Sequence, residues 1–428
     1  MNELATLHPV LDAINHSTIY LVAIAFYGLY PVITSLIWMA TAFVYYVRRD
    51  MREPDAPVSD AKLPLVSVLL PAYCEEEVIS HSIAGLLKLD YPNFEVIVIN
   101  DGSPDGTAAK VRPFLSDPRV RLLNKITNEG KAMALNDAIP CAKGDLLLVM
   151  DADAVPDPQL LRVMVPHFRY SRVAAVAGNP RVSNVTNLLT RLQAVEFSSV
   201  IGLMRRAQRI WGRVMCISGV VGMFRKSAVI DVGLYTPGMA TEDIDLTWKL
   251  QRRFYDVRYE GRALVWMIVP DTVSLWWSQR KRWALGLGQV LRRHASIFLD
   301  LRLRRMFPLF VESALSYIWS LTFLSVTVFW IICFSLGYPP KGGSPVPNLW
   351  GMLLFTFCLL QLACGTWIDS KYDPDIKRHF PASILYPSFY WVLLATTAFV
   401  YTTRGLLKRI NLMAPTRWHI QHSHAKSL

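Results

Sequence analysis

The sequence predicts an open α/β domain, built mostly on parallel strands and set between helices that cross a membrane. Three observations predict it. Hydrophobic residues make up 52% of the 428 and charged ones 18%, against roughly 45–50% and 25% in soluble domains. Four long apolar runs, residues 17–47, 309–336, 350–368 and 384–403, carry the excess and contain a single charged residue, Glu312. Between the first two runs, short apolar stretches alternate with helix-patterned ones, as in successive βαβ units. At ~100–200 residues per domain the length excludes one small module, and the apolar content excludes disorder for most of the chain.

Ahead of the first run stand Glu3 and Asp12 but no Lys or Arg. The positive start of a cleaved secretory signal is therefore missing, and residues 1–48 are expected to stay as an anchor. The run is longer than the ~20 residues that span hydrocarbon, and Pro31 in its middle predicts a kinked or tilted span. Arg48, Arg49 and Arg52 follow. By the positive-inside rule they hold that end in the cytoplasm, with the N-terminus outside and the next domain inside. Residues 49–64, with Pro54, Pro57 and Pro64, read as a linker.

A soluble domain is expected over 65–278. Stretches 65–70, 95–100, 120–123, 145–150 and 174–177 predict buried parallel strands, and 76–87 and 131–142 predict helices between them. Sheets of this kind bind ligands beyond the carboxyl ends of their strands. Residues 279–308 form a basic amphipathic segment. From Gln279 to Arg305 eight basic residues face only Asp300, more than half of the net charge of +12. That segment is expected at the surface of an anionic lipid bilayer, and the want of a basic run interleaved with stacking aromatics elsewhere argues against nucleic acid.

Spans over 309–403 and a tail over 404–428 complete the chain. Four spans starting outside return the tail outside, whereas Arg404, Lys408, Arg409 and Arg417 argue for the cytoplasm. Either one run is re-entrant or the charge rule fails here. Cys74, Cys141, Cys216, Cys333, Cys358 and Cys364 have no zinc-like spacing and read as reduced thiols.

Several groups could carry chemistry, each with a plainer reading. Asp151 and Asp153 follow a strand, where two hard oxygen ligands suit Mg²⁺ or Mn²⁺ carrying a diphosphate; strand-ending turns also favour Asp. Asp101, Gly102 and Ser103 also end a strand, where a nucleotide could sit or where the residues merely make a turn. Asn128, Gly130 and Lys131 precede a helix, where N–H groups and an ammonium could meet phosphate. The acidic run Glu242, Asp243, Asp245 supplies either a base or merely a favoured helix start. Gln279, Arg282 and Trp283, with Trp276 and Trp277, also read as an interfacial aromatic and basic belt.

Taken in order, residues 71–77, 101–103, 128–132, 151–153, 218–222 and 241–243 and the set Gln279, Arg282, Trp283 resemble the processive family 2 glycosyltransferases, which include cellulose, chitin and hyaluronan synthases. The likeness covers 65 to about 289. Within that group, residues 178–182, 196–212 (EFSSVIGLMRRAQRIWG) and 240–251 (ATEDIDLTWKLQ) look most like bacterial poly-β-1,6-N-acetyl-D-glucosamine synthases. The resemblance implies a nucleotide-sugar-binding glycosyltransferase domain flanked by transmembrane helices, UDP-N-acetylglucosamine as donor and a growing β-1,6-linked biofilm polysaccharide as acceptor.

It also implies residue roles. Tyr73, Glu75 and Asp101 would hold the uridine, Lys131 and Asp151 the phosphates, and Asp153 the Mg²⁺ or Mn²⁺. Asp243 would be the base, Gln279 and Arg282 would bind substrate, Arg282 at the diphosphate, and Trp283 would meet the acceptor sugar. A multi-pass protein of the bacterial inner membrane follows, with its catalytic domain cytoplasmic, export coupled to synthesis, a small membrane accessory subunit and cyclic di-GMP regulation. Two departures stand out: Cys74 lies where many relatives have Asn, and one span precedes the domain where some have two. The alternatives are another processive synthase of hyaluronan, chitin or cellulose type, or a single transfer to a polyprenyl phosphate, which needs no Gln279, Arg282, Trp283 set. A transporter or silent scaffold would want a polar pathway, which Glu312 alone does not make.

Overall fold

The computed structural model describes residues 2–52, 63–338, 340–343, 349–408 and 410–411. Arg409, Arg417, most of the tail and most of the linker lie outside the described residues.

Eight strands form one sheet: β1 (Val66–Ala72), β2 (Phe94–Asn100), β3 (Val120–Asn124), β4 (Leu146–Met150), β5 (Ala154–Pro156), β6 (Val173–Val182), β7 (Val221–Arg225) and β8 (Asp256–Met267). Their spatial order is β3-β2-β1-β4-β7-β6-β8-β5. The five expected strands are all present. Those from β1 to β4 pair in parallel, as does β6 with β8. The sheet is mostly parallel, as expected, with exceptions at β7, which runs against both β4 and β6, and at β5, which runs against β8. β7 and β8 escaped the sequence reading because neither is a plain apolar run: β7 holds Gly222 and ends in Arg225, and β8 alternates buried with half-buried positions.

Alternation along β1 explains the two layers. Val66, Val68 and Leu70 pack with Ile79, Ile83 and Leu86 of the helix Ile79–Leu86 on one face. Leu69 packs on the other with Ile97, Ile99, Leu135 and Ile139, the last two from the helix Lys131–Cys141. Covered on both faces, these strands read as continuous apolar runs. β1 has β2 on one side and β4 on the other, so the order reverses there and opens a crevice at the carboxyl ends. The antiparallel register Met150↔Val221 then brings the loop before β7 to the end of β4, where Asp151 N–H donates to the Val220 carbonyl at 3.3 Å.

Among the described residues, four helical segments flank this domain and are long and apolar enough to cross a membrane: Thr18–Asp50, Leu301–Ser335, Trp350–Asp369 and Ile376–Leu407. A separate helix, Asn2–His16, precedes the first. The last begins at Ile376, ahead of the apolar run 384–403, and runs through 3₁₀ and π turns. Spans and domain are joined by a buried ion cluster. Arg206 donates from Nε to Asp50 Oδ2 at 2.7 Å and reaches Asp369 Oδ1 at 2.8 Å, and Arg181 reaches Asp369 Oδ2 at 2.7 Å. Asp50 therefore belongs to the span and not to the linker: pairing with Arg206 lets its carboxylate stay only 9% exposed.

The helix Val273–His294 runs straight through the expected boundary at residue 279. Trp276, offered as part of an interfacial belt, is fully buried and donates from Nε1 to Tyr390 Oη at 2.8 Å. A Cβ at Gly288 would lie 2.2 Å from the Thr402 carbonyl, so only glycine permits this helix to cross the final span so closely, as small residues do between membrane helices.

Candidate active site

A cavity of about 360 Å³ opens at the end of β4 beneath the helix Val273–His294 and brings together Lys131, Asp151, Asp153, Asp243, Gln279, Arg282 and Trp283. Tyr73, Glu75 and Asp101 do not line it.

Asp151 sits at the tip of β4 and pairs with the Lys131 ammonium. Lys131 also lies 4.0 Å from Glu242 Oε1 and donates to the Gly219 carbonyl at 3.5 Å. Burial pulls this ammonium's pKa down, but Asp151, Glu242 and Asp243 outweigh it and hold the pKa above its ordinary value. The cation is therefore permanent at neutral pH.

Asp101 is fully buried and accepts from Gly130 N–H at 2.7 Å and Glu129 N–H at 3.2 Å, with Lys125 Nζ at 3.3 Å. The N–H groups of Glu129 and Gly130 are thus taken by a carboxylate that shapes the loop. Gly102, at φ +67°, lets the loop after β2 touch this one, since a Cβ would meet the Thr127 carbonyl carbon at 2.7 Å.

Tyr73 and Glu75 follow β1 beside the crevice. Their loop is stitched to the one after β2 by Cys74 N–H on Ser103 Oγ at 3.1 Å and Glu75 N–H on Thr107 Oγ1 at 2.9 Å. Cys74 has φ 57°, a left-handed conformation that Asn adopts more readily than most side chains. The departure from Asn at this position thus has a backbone consequence.

Asp243 stands in the first turn of the helix Glu242–Arg252, where Glu242 and Asp245 join it in opposing the positive end of the helix dipole. Its Oδ2 accepts from Gly219 N–H at 3.0 Å and from the Cys216 thiol at 3.5 Å. Burial and the Asp243 charge push the Cys216 pKa well up, so the thiol is a donor. Burial also raises the Glu242 pKa against the pull of Lys131.

Across the cavity, Arg282 Nη1 donates to the Ala240 carbonyl at 3.1 Å. The Trp283 ring lies under the Arg280 guanidinium at 4.2 Å and meets Phe197 edge-on at 6.5 Å. Arg280 is held by Glu196 Oε2 at 2.5 Å and Tyr390 Oη at 3.1 Å. Arg280, Glu196 and Cys216 also line the cavity, and none of the three was given a role there from the sequence. A charge run usually reads as solvated, which hid Arg280. Its spacing from Trp276 and Trp283, four before and three after, is the helical signal that places all three on one face.

Among the described residues, no three His, Cys, Asp or Glu side chains gather into a metal cage. Asp151 and Asp153 fit instead a hard divalent ion held by one or two carboxylates and completed by substrate phosphates and water.

Residues 67–233 match the family described as Glycosyl transferase family 2. The chain is 34% identical over 394 residues to the poly-β-1,6-N-acetyl-D-glucosamine synthase of Staphylococcus aureus strain COL, covering 89% of this chain and 94% of the relative. To the synthase of the same description from Staphylococcus epidermidis it is 32% identical over 405 residues, covering 92% and 98%. A solved mannosyltransferase from Pyrobaculum calidifontis, in complex with GDP-mannose and Mn²⁺, shares the fold with a TM-score of 0.60 at 20% identity, covering 88% of this chain and 98% of that one.

Proposed function

Since the chain is a glycosyltransferase that belongs to glycosyl transferase family 2, in its poly-β-1,6-N-acetyl-D-glucosamine synthase group, we propose that it polymerises N-acetylglucosamine from UDP-N-acetylglucosamine into a β-1,6-linked exopolysaccharide of the biofilm matrix. One observation carries the reading: a carboxylate, fixed cations and an indole face a single cavity at the end of β4.

The reaction is an inverting transfer. The acceptor's 6-hydroxyl attacks the anomeric carbon from the face opposite UDP, a new C–O bond forms, the bond to the diphosphate oxygen breaks, and Asp243 takes the hydroxyl proton. Lys131 and Arg282 stabilise the charge that grows on the leaving diphosphate. Asp153, with Asp151, would hold Mg²⁺ or Mn²⁺, whose chemistry when bound is neutralisation of that diphosphate. Tyr73, Glu75 and Asp101 hold the uridine, Asp101 also positioning the loop at Glu129 and Gly130. Gln279 and Trp283 face the acceptor. A single transfer to a polyprenyl phosphate leaves that acceptor wall without a task.

The test of function is UDP release by purified enzyme offered UDP-N-acetylglucosamine, UDP-glucose or UDP-glucuronate in turn. Turnover with the first alone supports the proposal, and preference for another donor moves the chain to a different synthase type. Asp153→Ala is expected to weaken UDP binding in Mg²⁺ while leaving metal-free binding unchanged, read by calorimetry.

Trp283→Ala is expected to shorten the product while UDP release by hydrolysis survives. Aromatic contacts contribute ~0.5–1.5 kcal/mol beyond area, up to about tenfold in acceptor occupancy, and a processive enzyme incurs that loss at each addition. Normal length per immunoblotted enzyme would remove the acceptor role.

In this proposal the protein lies in the bacterial inner membrane with its catalytic domain cytoplasmic, synthesis is coupled to export, and a small accessory subunit and cyclic di-GMP regulate it. A reporter fused after Asp60 is then expected to read cytoplasm, because Arg48, Arg49 and Arg52 fix that end inside.

A further inference from the structure

The helix Glu242–Arg252 has a second charged face. Lys249 and Arg252 on its last turn, with Arg253 after it, line a separate cavity of about 620 Å³ together with Arg293, His294 and Asp300. None of these residues lines the cavity around Asp243.

A fully buried carboxylate, Asp245, organises the cluster. It meets Arg293 Nε at 3.1 Å, His294 Nε2 at 2.9 Å and Lys249 Nζ at 4.0 Å, and accepts from Thr236 Oγ1 at 2.5 Å. Arg252 Nη1 lies 3.3 Å from His294 Nδ1. A neutral imidazole fits both contacts, donating from Nε2 to Asp245 and accepting at Nδ1, and burial holds the His294 pKa below its ordinary value. Lys249, Arg252, Arg253 and Arg293 are thus four cations set against Asp245 and a rim carboxylate, Asp300, which is itself 3.3 Å from Arg302. Among the described residues, no carboxylate pairs with Arg252 or Arg253.

The cavity's edge is as informative as its charge. Residues 295–299 and 301–306 are 3₁₀ turns that lead into the helix Phe307–Ser335 of the second span. They expose Phe298, Leu299 and Leu301 at 43%, 88% and 74%, alternating with the exposed Arg302, Arg304 and Arg305. Exposed apolar side chains beside cations at the foot of a span suit the headgroup and acyl boundary of a bilayer.

We propose that this cavity binds the phosphate of an anionic membrane phospholipid, with acyl chains lying along Phe298, Leu299 and Leu301. A soluble phosphate would use the same donors, but it would leave that apolar fringe without a partner. The site is independent of the donor and product assigned above, and failure of either reading leaves the other standing.

The experiment measures binding of fluorescent phosphatidylglycerol and phosphatidylcholine to the purified full chain in neutral detergent, with inorganic pyrophosphate as competitor. Preference for phosphatidylglycerol is expected. It should fall roughly fivefold for each charge removed in Arg253→Gln, an exposed position whose loss leaves no carboxylate unpaired, and again in Arg252→Gln with Arg253→Gln. Arg304→Gln, outside the cavity, should leave it unchanged. Equal loss in Arg304→Gln, or no loss in the cavity variants, would show unspecific surface attraction and overturn the site. Displacement by pyrophosphate at concentrations matching the lipid's own affinity would assign it to a soluble anion and overturn the lipid.

Discussion

Asp243→Asn is expected to bind UDP with unchanged affinity and to lose at least about a hundredfold in transfer rate, within the ~10²–10⁴ that a positioned base contributes. The amide is nearly isosteric. Its oxygen can still accept from Gly219 N–H, which lies 3.0 Å from Oδ2 in the native protein, so the loop before β7 keeps its place. What it cannot do is take the acceptor's proton. The measurement is UDP affinity beside polymer formed per enzyme. Transfer within a few fold of wild type would remove Asp243 from the role of base and leave Glu242 as the next carboxyl on that wall.

A comparably large effect, on stability, is expected from Asp369→Ala. Asp369 is fully buried and meets both Arg181 and Arg206, which are themselves 1% and 0% exposed, and it accepts from Ser198 Oγ at 3.0 Å. Removing it leaves two buried guanidinium groups with Asp50 as the remaining acid of the cluster, and breaking a buried pair from one side typically costs about 3–5 kcal/mol. The cluster joins the first span, β6, the helix Leu203–Trp211 and the third span, so the loss should loosen the domain from its membrane segments as well as lower the unfolding temperature. Thermal unfolding in detergent reads this directly. Asp300→Ala is the contrast: its pair with Arg302 is largely exposed, at 42% and 84%, and exposed pairs contribute about 0–1 kcal/mol. Similar melting of the two variants would contradict the account of the cluster.

The parts of this protein that were legible in the sequence are those where one physical signal dominates. Strands β1, β2 and β4 are buried on both faces and appear as unbroken apolar runs; the spans appear by length and hydropathy. Asp151, Asp243 and Trp283 were found through the order of short motifs, and the structure does gather them. Other features depend on partners distant in the chain, which no local pattern reveals. Arg206 and Asp369 look like an ordinary surface cation and a helix-ending acid until the fold buries them together. Arg280 belongs by composition to a membrane-facing charge run, yet Glu196 and Tyr390 draw it into the cavity. Asp101 was placed on its loop without its partners, because only the structure reveals that Glu129 and Gly130 spend their N–H groups on it.

The central claim is that this cavity builds a β-1,6-linked chain of N-acetylglucosamine, and product linkage tests it most directly. Membranes containing the enzyme, given isotopically labelled UDP-N-acetylglucosamine and Mg²⁺, are expected to yield polymer that a β-1,6-specific hexosaminidase degrades and a chitinase leaves intact, and that is absent with Asp243→Asn. Polymer degraded by chitinase instead, or a product no longer than one added sugar, would contradict it.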